Sequence, residues 1–191
     1  MNTALQTTAD PKKSAFTNGL IWAAINIAIF LVIYYVKPDL MGSFAFMGIS
    51  IVIGIGLAVY FSIELRKQAG GYWSFKEALS SIFIMFFTQA LIVFFFTIIF
   101  GKFIEPDYSV KMKEISESTA TAMFEKMGAD QETVDKAMAE MEKSWESQFN
   151  PGIMDILKSI AFIAIGYFIG ALIFAAIFKK ERPVFSSTVE E

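Results

Sequence analysis

Residues 78–100 read ALSSIFIMFFTQALIVFFFTIIF, an apolar run without a single Asp, Glu, Lys or Arg. A helix rises ~1.5 Å per residue, so a run of this length covers the roughly 30 Å hydrocarbon core of a bilayer. The run is apolar on every side instead of alternating, which excludes a strand of a membrane β-barrel. Three further runs share this character, at 16–36, 40–63 and 153–178, and only the last holds charges, Asp155 and Lys158. The sequence therefore predicts an all-α integral membrane protein, a bundle of four spanning helices. A segment between the third and fourth is left over.

Composition agrees and narrows the chemistry. A chain of 191 residues that is 55% hydrophobic and holds 21 Phe is too apolar for an ordinary soluble domain. There is no Cys and no His. This removes disulfides, a thiolate nucleophile, an imidazole base and the usual ligands of zinc, haem and iron–sulfur clusters. The acidic residues crowd into one stretch and no basic face develops, so no nucleic-acid partner is expected. No cofactor or metal is expected either.

Lys12 and Lys13 before the first run resemble the basic start of a signal peptide. The run is longer than the usual 7–15 apolar residues, however, and Lys37-Pro38-Asp39 follows it where a small-residue cleavage site would lie. It reads as a retained span. Lys12, Lys13, Arg66, Lys67, Lys76, Lys179, Lys180 and Arg182 flank the spans at one end of a four-span bundle, whereas the other end receives the Lys37-Pro38-Asp39 turn and a long segment whose Lys residues are outnumbered by Asp and Glu. By the positive-inside rule the first of these ends is cytoplasmic. The expected organisation is a cytoplasmic tail at 1–15, three spans within 16–100, an extracytoplasmic acidic segment at 101–151, the fourth span at 152–178 and a cytoplasmic tail at 179–191.

Between the second and third spans, Gly70-Gly71 frees the chain to turn and Ser74 with Glu77 forms a capping box, which starts the third helix near Phe75. In the segment after the third span, Met112, Ile115, Thr119, Met123 and Met127 recur at a helical period. Gly128 offers a left-handed stop and Asp130 a cap for a second helix, on which Val134, Met138, Met141, Trp145 and Phe149 share a face. An antiparallel helical hairpin is predicted, with its two apolar faces meeting. Its core is too small to stand alone, so it should lean on the membrane surface, a second copy or a partner.

Candidate site residues are few. Asn26 and Gln89 fall near the middle of the first and third runs and are expected to meet protein, bonding each other, because an unpaired amide in hydrocarbon costs several kcal/mol. Gly48 and Gly54 in the second run, and Gly166 with Gly170 in the fourth, follow the spacing that lets helix backbones approach, within the chain or in a homodimer. Met112, Met123, Met127, Met138, Met141 and Trp145 form a candidate partner surface. Thioethers also bind Cu(I), but without His or Cys beside them these residues read as packing. The hairpin carboxylates lack the spacing of a calcium loop and read as a solvated face.

The stretch Arg66-Lys67-Gln68-Ala69-Gly70-Gly71-Tyr72-Trp73-Ser74-Phe75-Lys76-Glu77-Ala78, with Phe103-Ile104-Glu105-Pro106-Asp107-Tyr108 after the third span, resembles an uncharacterised bacterial family of short four-span inner-membrane proteins, a domain of unknown function. The resemblance implies a bacterial inner membrane and four spans, and brings no catalytic residue with it. The leading functional expectation is a non-enzymatic structural or accessory subunit, in the lipid bilayer, whose hairpin binds a membrane-protein partner or its own copy. One alternative is a small transporter or flippase subunit using the Asn26 and Gln89 region. The other is a membrane enzyme acting on a lipid-linked substrate through Glu64, Glu105 or Asp155.

Overall fold

The computed structural model describes residues 10–149 and 151–181, with the side chains of 146–149 outside that description. Arg182 and the side chain of Phe149, both used above, thus lie outside the described residues. Six helices follow one another: α1 (Pro11–Val36), α2 (Phe44–Gln68), α3 (Phe75–Ile99), α4 (Tyr108–Met127), α5 (Gln131–Phe149) and α6 (Ile153–Phe178). Helices α1, α2 and α6, and α3 together with its continuation to Ile104, are long and apolar enough to cross a membrane. No strand occurs among the described residues.

Local chemistry sets the helix ends. Asp10 accepts from the Lys12 N–H at 2.9 Å and Pro11 takes the first helical position, so α1 begins before its apolar run and includes Lys12 and Lys13. Residues Pro38–Gly42 form a 3-10 turn, and α2 starts at Phe44 instead of residue 40 because Ser43 is its cap, accepting from Phe46 N–H at 3.1 Å. The capping box before α3 is complete. Ser74 N–H donates to Glu77 Oε2 at 3.0 Å and Glu77 N–H donates to Ser74 Oγ at 3.4 Å. Gly70 and Gly71 turn the chain there with φ of 86° and 84°. Trp73 and Lys180 then exchange backbone hydrogen bonds of 2.7 and 2.8 Å, which ties the α2–α3 loop to the end of α6. We call this the terminal end of the bundle, and the opposite one the hairpin end.

The bundle is arranged around α3, which packs most extensively on α1 and α6, whereas α2 touches its neighbours sparsely. Close approach needs small residues. Ala15, Gly19 and Ala23, one per turn, are buried along α1, and a Cβ on Gly19 would lie 2.7 Å from the Met85 carbonyl oxygen and 2.9 Å from Thr88 Cβ. On α6 the fully buried small residues are Ala171 and Ala175. Some polar side chains lie inside and many large apolar ones outside. Asn18, Ser62, Ser81 and Gln89 are buried, while Ile49, Val52, Phe162 and Ile165 are exposed, the pattern that lipid selects.

At the hairpin end an aromatic cluster closes the bundle. Phe30, Tyr34, Phe96, Phe100 and Tyr108 interlock with ring centroids 5.2–6.0 Å apart, mostly edge to face, each such pair contributing roughly 0.5–1.5 kcal/mol beyond its burial. A π-turn, Phe100–Ile104, ends α3 and leads the chain back so that Tyr108 can enter the cluster. Gly101 permits this, since a Cβ there would sit 2.8 Å from the Tyr108 ring.

The hairpin forms as predicted. Gly128, at φ 65°, stops α4, and Asp130 Oδ1 accepts from the Thr133 N–H at 2.7 Å to start α5. Lys113 binds it to α5, pairing with Glu142 at 3.0 Å and lying 5.5 Å from the Trp145 ring centroid. The expectation that the two apolar stripes face each other is corrected in one respect. Met112 packs into the aromatic cluster, and Ile115 and Thr119 lie against Gly42, where a Cβ would meet them at 2.6 and 2.5 Å. The α4 stripe thus turns toward the chain's own 38–42 turn, and α5 uses the adjacent face.

Two outcomes follow from this packing. Gly19→Ala drives a methyl group into backbone and lowers stability by about 1–3 kcal/mol, the usual overpacking cost; Gly48→Ala, with nothing within 4 Å, leaves it unchanged or gains about 0.5–1 kcal/mol from helix propensity. Thermal unfolding of the two variants in detergent measures the difference. The second concerns pH. Burial pushes the Tyr108 hydroxyl up to about 12, above the ordinary value near 10. The Tyr108 contribution to docking of α4 is therefore complete below pH ~10 and is lost as pH rises through about 12, so limited proteolysis of the 105–127 segment should speed up across that range.

Candidate functional site

The sparse contacts of α2 leave space beside it. An open cavity of about 870 Å³ lies among α1, α2, α3, α6 and the 38–42 turn, a size within the roughly 300–1,000 Å³ of small-molecule sites. Apolar groups form most of its wall, including Ile29, Phe86, Val93, Phe162 and Phe174. Its rims on α2 and α6 carry exposed side chains, Ile51 and Ile55 on one and Phe162 on the other. As these two helices barely touch, the mouth faces laterally, toward the lipid.

Both predicted amides line this cavity, but they do not hydrogen-bond each other. Register explains why. Helices α1 and α3 run parallel, with Gly19 against Met85 and Thr88, an offset of about 66 residues. Gln89 is therefore level with Trp22 and Ala23, and Asn26 sits one turn, ~5 Å, nearer the hairpin end. Gln89 is 5% exposed and makes no hydrogen bond. Trp22, 6% exposed, is held between Phe61 (centroids 5.9 Å, stacked) and Phe86 (5.6 Å, edge-on), and its Nε1–H has no partner. Ser50 and Tyr167 add hydroxyls to the wall. Among the described residues the lining thus offers amide and hydroxyl groups that both donate and accept, one indole donor, and no carboxylate, amine or guanidinium, a set suited to a neutral polar group such as a carbonyl.

The glycines serve this space. A Cβ on Gly54 or Gly166 meets nothing within 4 Å, and one on Gly170 makes only ordinary contact with Phe86 at 3.7 Å. All three line the cavity, so they hold it open, and the close helix approach is made by Gly19 and by Ala171 and Ala175. Gly48 lies on the exposed side of α2, also with nothing within 4 Å. Gly19 went unnoticed in the sequence although Ala15, Gly19 and Ala23 follow the same four-residue spacing as Gly166 and Gly170.

The candidate partner surface divides. Met112 is in the aromatic cluster, Met138 and Met141 are half-buried and Trp145 is buried. Met123 and Met127 stay exposed and, with Phe44 and Ala122, line a second groove of about 570 Å³ between α4 and the 38–43 turn.

The candidate acids serve structural contacts. Glu105 accepts from Lys111 at 3.1 Å, Asp155 accepts from the Gly152 N–H at 3.2 Å at the start of α6, and Glu64 accepts from Gln68 at 3.2 Å at the opposite end of the bundle. No group of three or more acidic side chains able to hold a metal ion occurs among the described residues.

Comparison with known proteins adds one match. The sequence profile of a family described as "Protein of unknown function (DUF4199)" covers residues 17–180, from the first turns of α1 to the end of α6. No curated protein and no solved structure matches.

Proposed function

The chain belongs to the DUF4199 family, and we propose that it is a non-enzymatic membrane protein that binds a neutral, largely apolar molecule carrying a hydrogen-bond acceptor in the cavity beside α2, as a small transporter or flippase subunit would. The observation that carries this reading is the buried Trp22 Nε1–H without a partner, on the wall of a laterally open cavity that the Gln89 amide also lines. A polar group left unpaired at membrane depth costs several kcal/mol, so its retention is accounted for by a ligand that pairs it. The basic residues at the terminal end, Lys12, Lys13, Arg66, Lys67, Lys76, Lys179 and Lys180, favour placing that end in the cytoplasm of a bacterial cell.

A brominated diacylglycerol is a suitable probe, being neutral, rich in ester carbonyls and a quencher of tryptophan. In nanodiscs of a chain carrying Trp73→Phe and Trp145→Phe, quenching of Trp22 should saturate. Replacing both Asn26 and Gln89 by Leu should weaken it about tenfold, from two amide hydrogen bonds of roughly 0.6–1 kcal/mol each, and Gly166→Leu should block it by filling the cavity. Non-saturating quenching that is equal in all three chains contradicts the reading.

A second reading, an accessory subunit whose hairpin docks on a membrane partner or a second copy, is favoured by the exposed groove at Met123, Met127 and Phe44. A photo-crosslinking residue at Met127 should capture a single stoichiometric product in membranes, and capture of lipid alone contradicts it.

A further inference from the structure

Five buried side-chain polar atoms among the described residues lack a hydrogen-bond partner, on Asn18, Trp22, Ser62, Gln68 and Trp73, and of these residues only Trp22 lines the cavity. Asn18 Nδ2, Ser62 Oγ and Trp22 Nε1 have no hydrogen-bond partner, on residues that are 7%, 0% and 6% exposed. They do not lie at random. Asn18 and Trp22 are one turn apart on α1, and continuing by another turn on the same face reaches Asn26 in the cavity. Ser62 shares with Ala58 and Leu65 the face that α2 turns toward Trp22 and the bundle core. Asn18 and Ser62 stand near the terminal end, Trp22 stands at the cavity, and Gln89 is level with Trp22.

The other end is different in kind. Between the cavity and the hairpin lie Phe30, Tyr34, Phe96, Phe100 and Tyr108, packed ring on ring with Leu31, Met41 and Met112. The Tyr34 hydroxyl is engaged outward by Lys111 at 3.2 Å. No chain of unpartnered polar groups crosses this layer.

We propose that water enters the bundle from the terminal end and reaches the cavity along Asn18, Ser62 and Trp22, while the aromatic layer keeps the hairpin end dry. Lipid tails cannot satisfy buried amide, hydroxyl and indole groups, and water is the small ligand that can donate and accept among them. Buried water sits where two to four polar partners converge, whereas purely apolar cavities stay empty of it. The seam therefore gives the binding cavity aqueous access from one side and lipid access from its lateral mouth. This shares its cavity with the binding reading above, but hydration is read without any ligand, so the two fail separately: a dry cavity that still binds the brominated lipid removes only this inference.

The chain has no Cys, so single-cysteine variants are unambiguous. Asn18→Cys, Gln89→Cys and Phe96→Cys would be treated in sealed vesicles with a small, charged, membrane-impermeant thiol reagent from either side. Asn18→Cys and Gln89→Cys should react about tenfold or more faster from the terminal side than from the hairpin side, and Phe96→Cys slowly from both. Hydroxyl-radical footprinting of the unmodified chain, which needs no substitution, should oxidise Trp22 about tenfold faster than Phe100 after correction for intrinsic reactivity. Gln89→Cys reacting no faster than Phe96→Cys, equal reaction from both sides, or a Trp22 no more oxidised than Phe100 would each overturn the inference.

Discussion

The close approach of α1 and α3 at Gly19 is the constraint on which the rest depends. With no side chain there, the Met85 carbonyl and the Thr88 side chain come to within the space a methyl group would need. In lipid, where the hydrophobic effect does not drive helices together, such packing is the main source of association. Because α1 and α3 are parallel, the contact fixes their register and decides which side chains share a level. Trp22 is brought level with Gln89, and Phe30 is brought against Phe96 and Phe100. Once α3 is held by α1 on one side and by Ala171 and Ala175 of α6 on the other, α2 is left as the loosely held fourth member. The cavity exists because three helices pack closely and the fourth does not.

The hairpin follows from the same geometry. The π-turn after α3 and the bare backbone at Gly101 return the chain so that Tyr108 completes the aromatic layer. That anchor sets α4 over the 38–42 turn, with Ile115 and Thr119 on Gly42. The hairpin is therefore braced by its own chain at the start of α2, the helix that borders the cavity. A rigid closure above and a loose wall beside the cavity are two results of one arrangement.

Much of this was legible in the sequence, and the reasons differ by feature. Span number and helix type follow from run length alone, and the Ser74–Glu77 box, Gly128 and Asp130 act locally, so their chemistry is complete within a few residues. The role of Gly166 was not legible, because small-residue spacing says that a face is flat without saying whether a helix or a void lies against it. The Met112 to Met127 stripe marks an apolar face of α4, but a period carries no identity for what covers it: Met112 joins the aromatic cluster, Ile115 and Thr119 lie on Gly42, and Met123 and Met127 stay exposed. Asn26 and Gln89 were placed at equal depth by counting from the span ends. Depth is set by packing register, and the Gly19 contact displaces one amide from the other by a turn. The buried donors of Asn18, Ser62 and Trp22 are visible only when all neighbours are in place.

An experimental density map of the chain in a lipid nanodisc distinguishes a built site beside α2 from slack packing. If the site is built, non-protein density fills the cavity, with a polar atom about 3 Å from the Gln89 amide and an apolar body leading toward the mouth between α2 and α6. A map in which α2 closes onto α6 and protein side chains fill the space around Gln89 would contradict a built site.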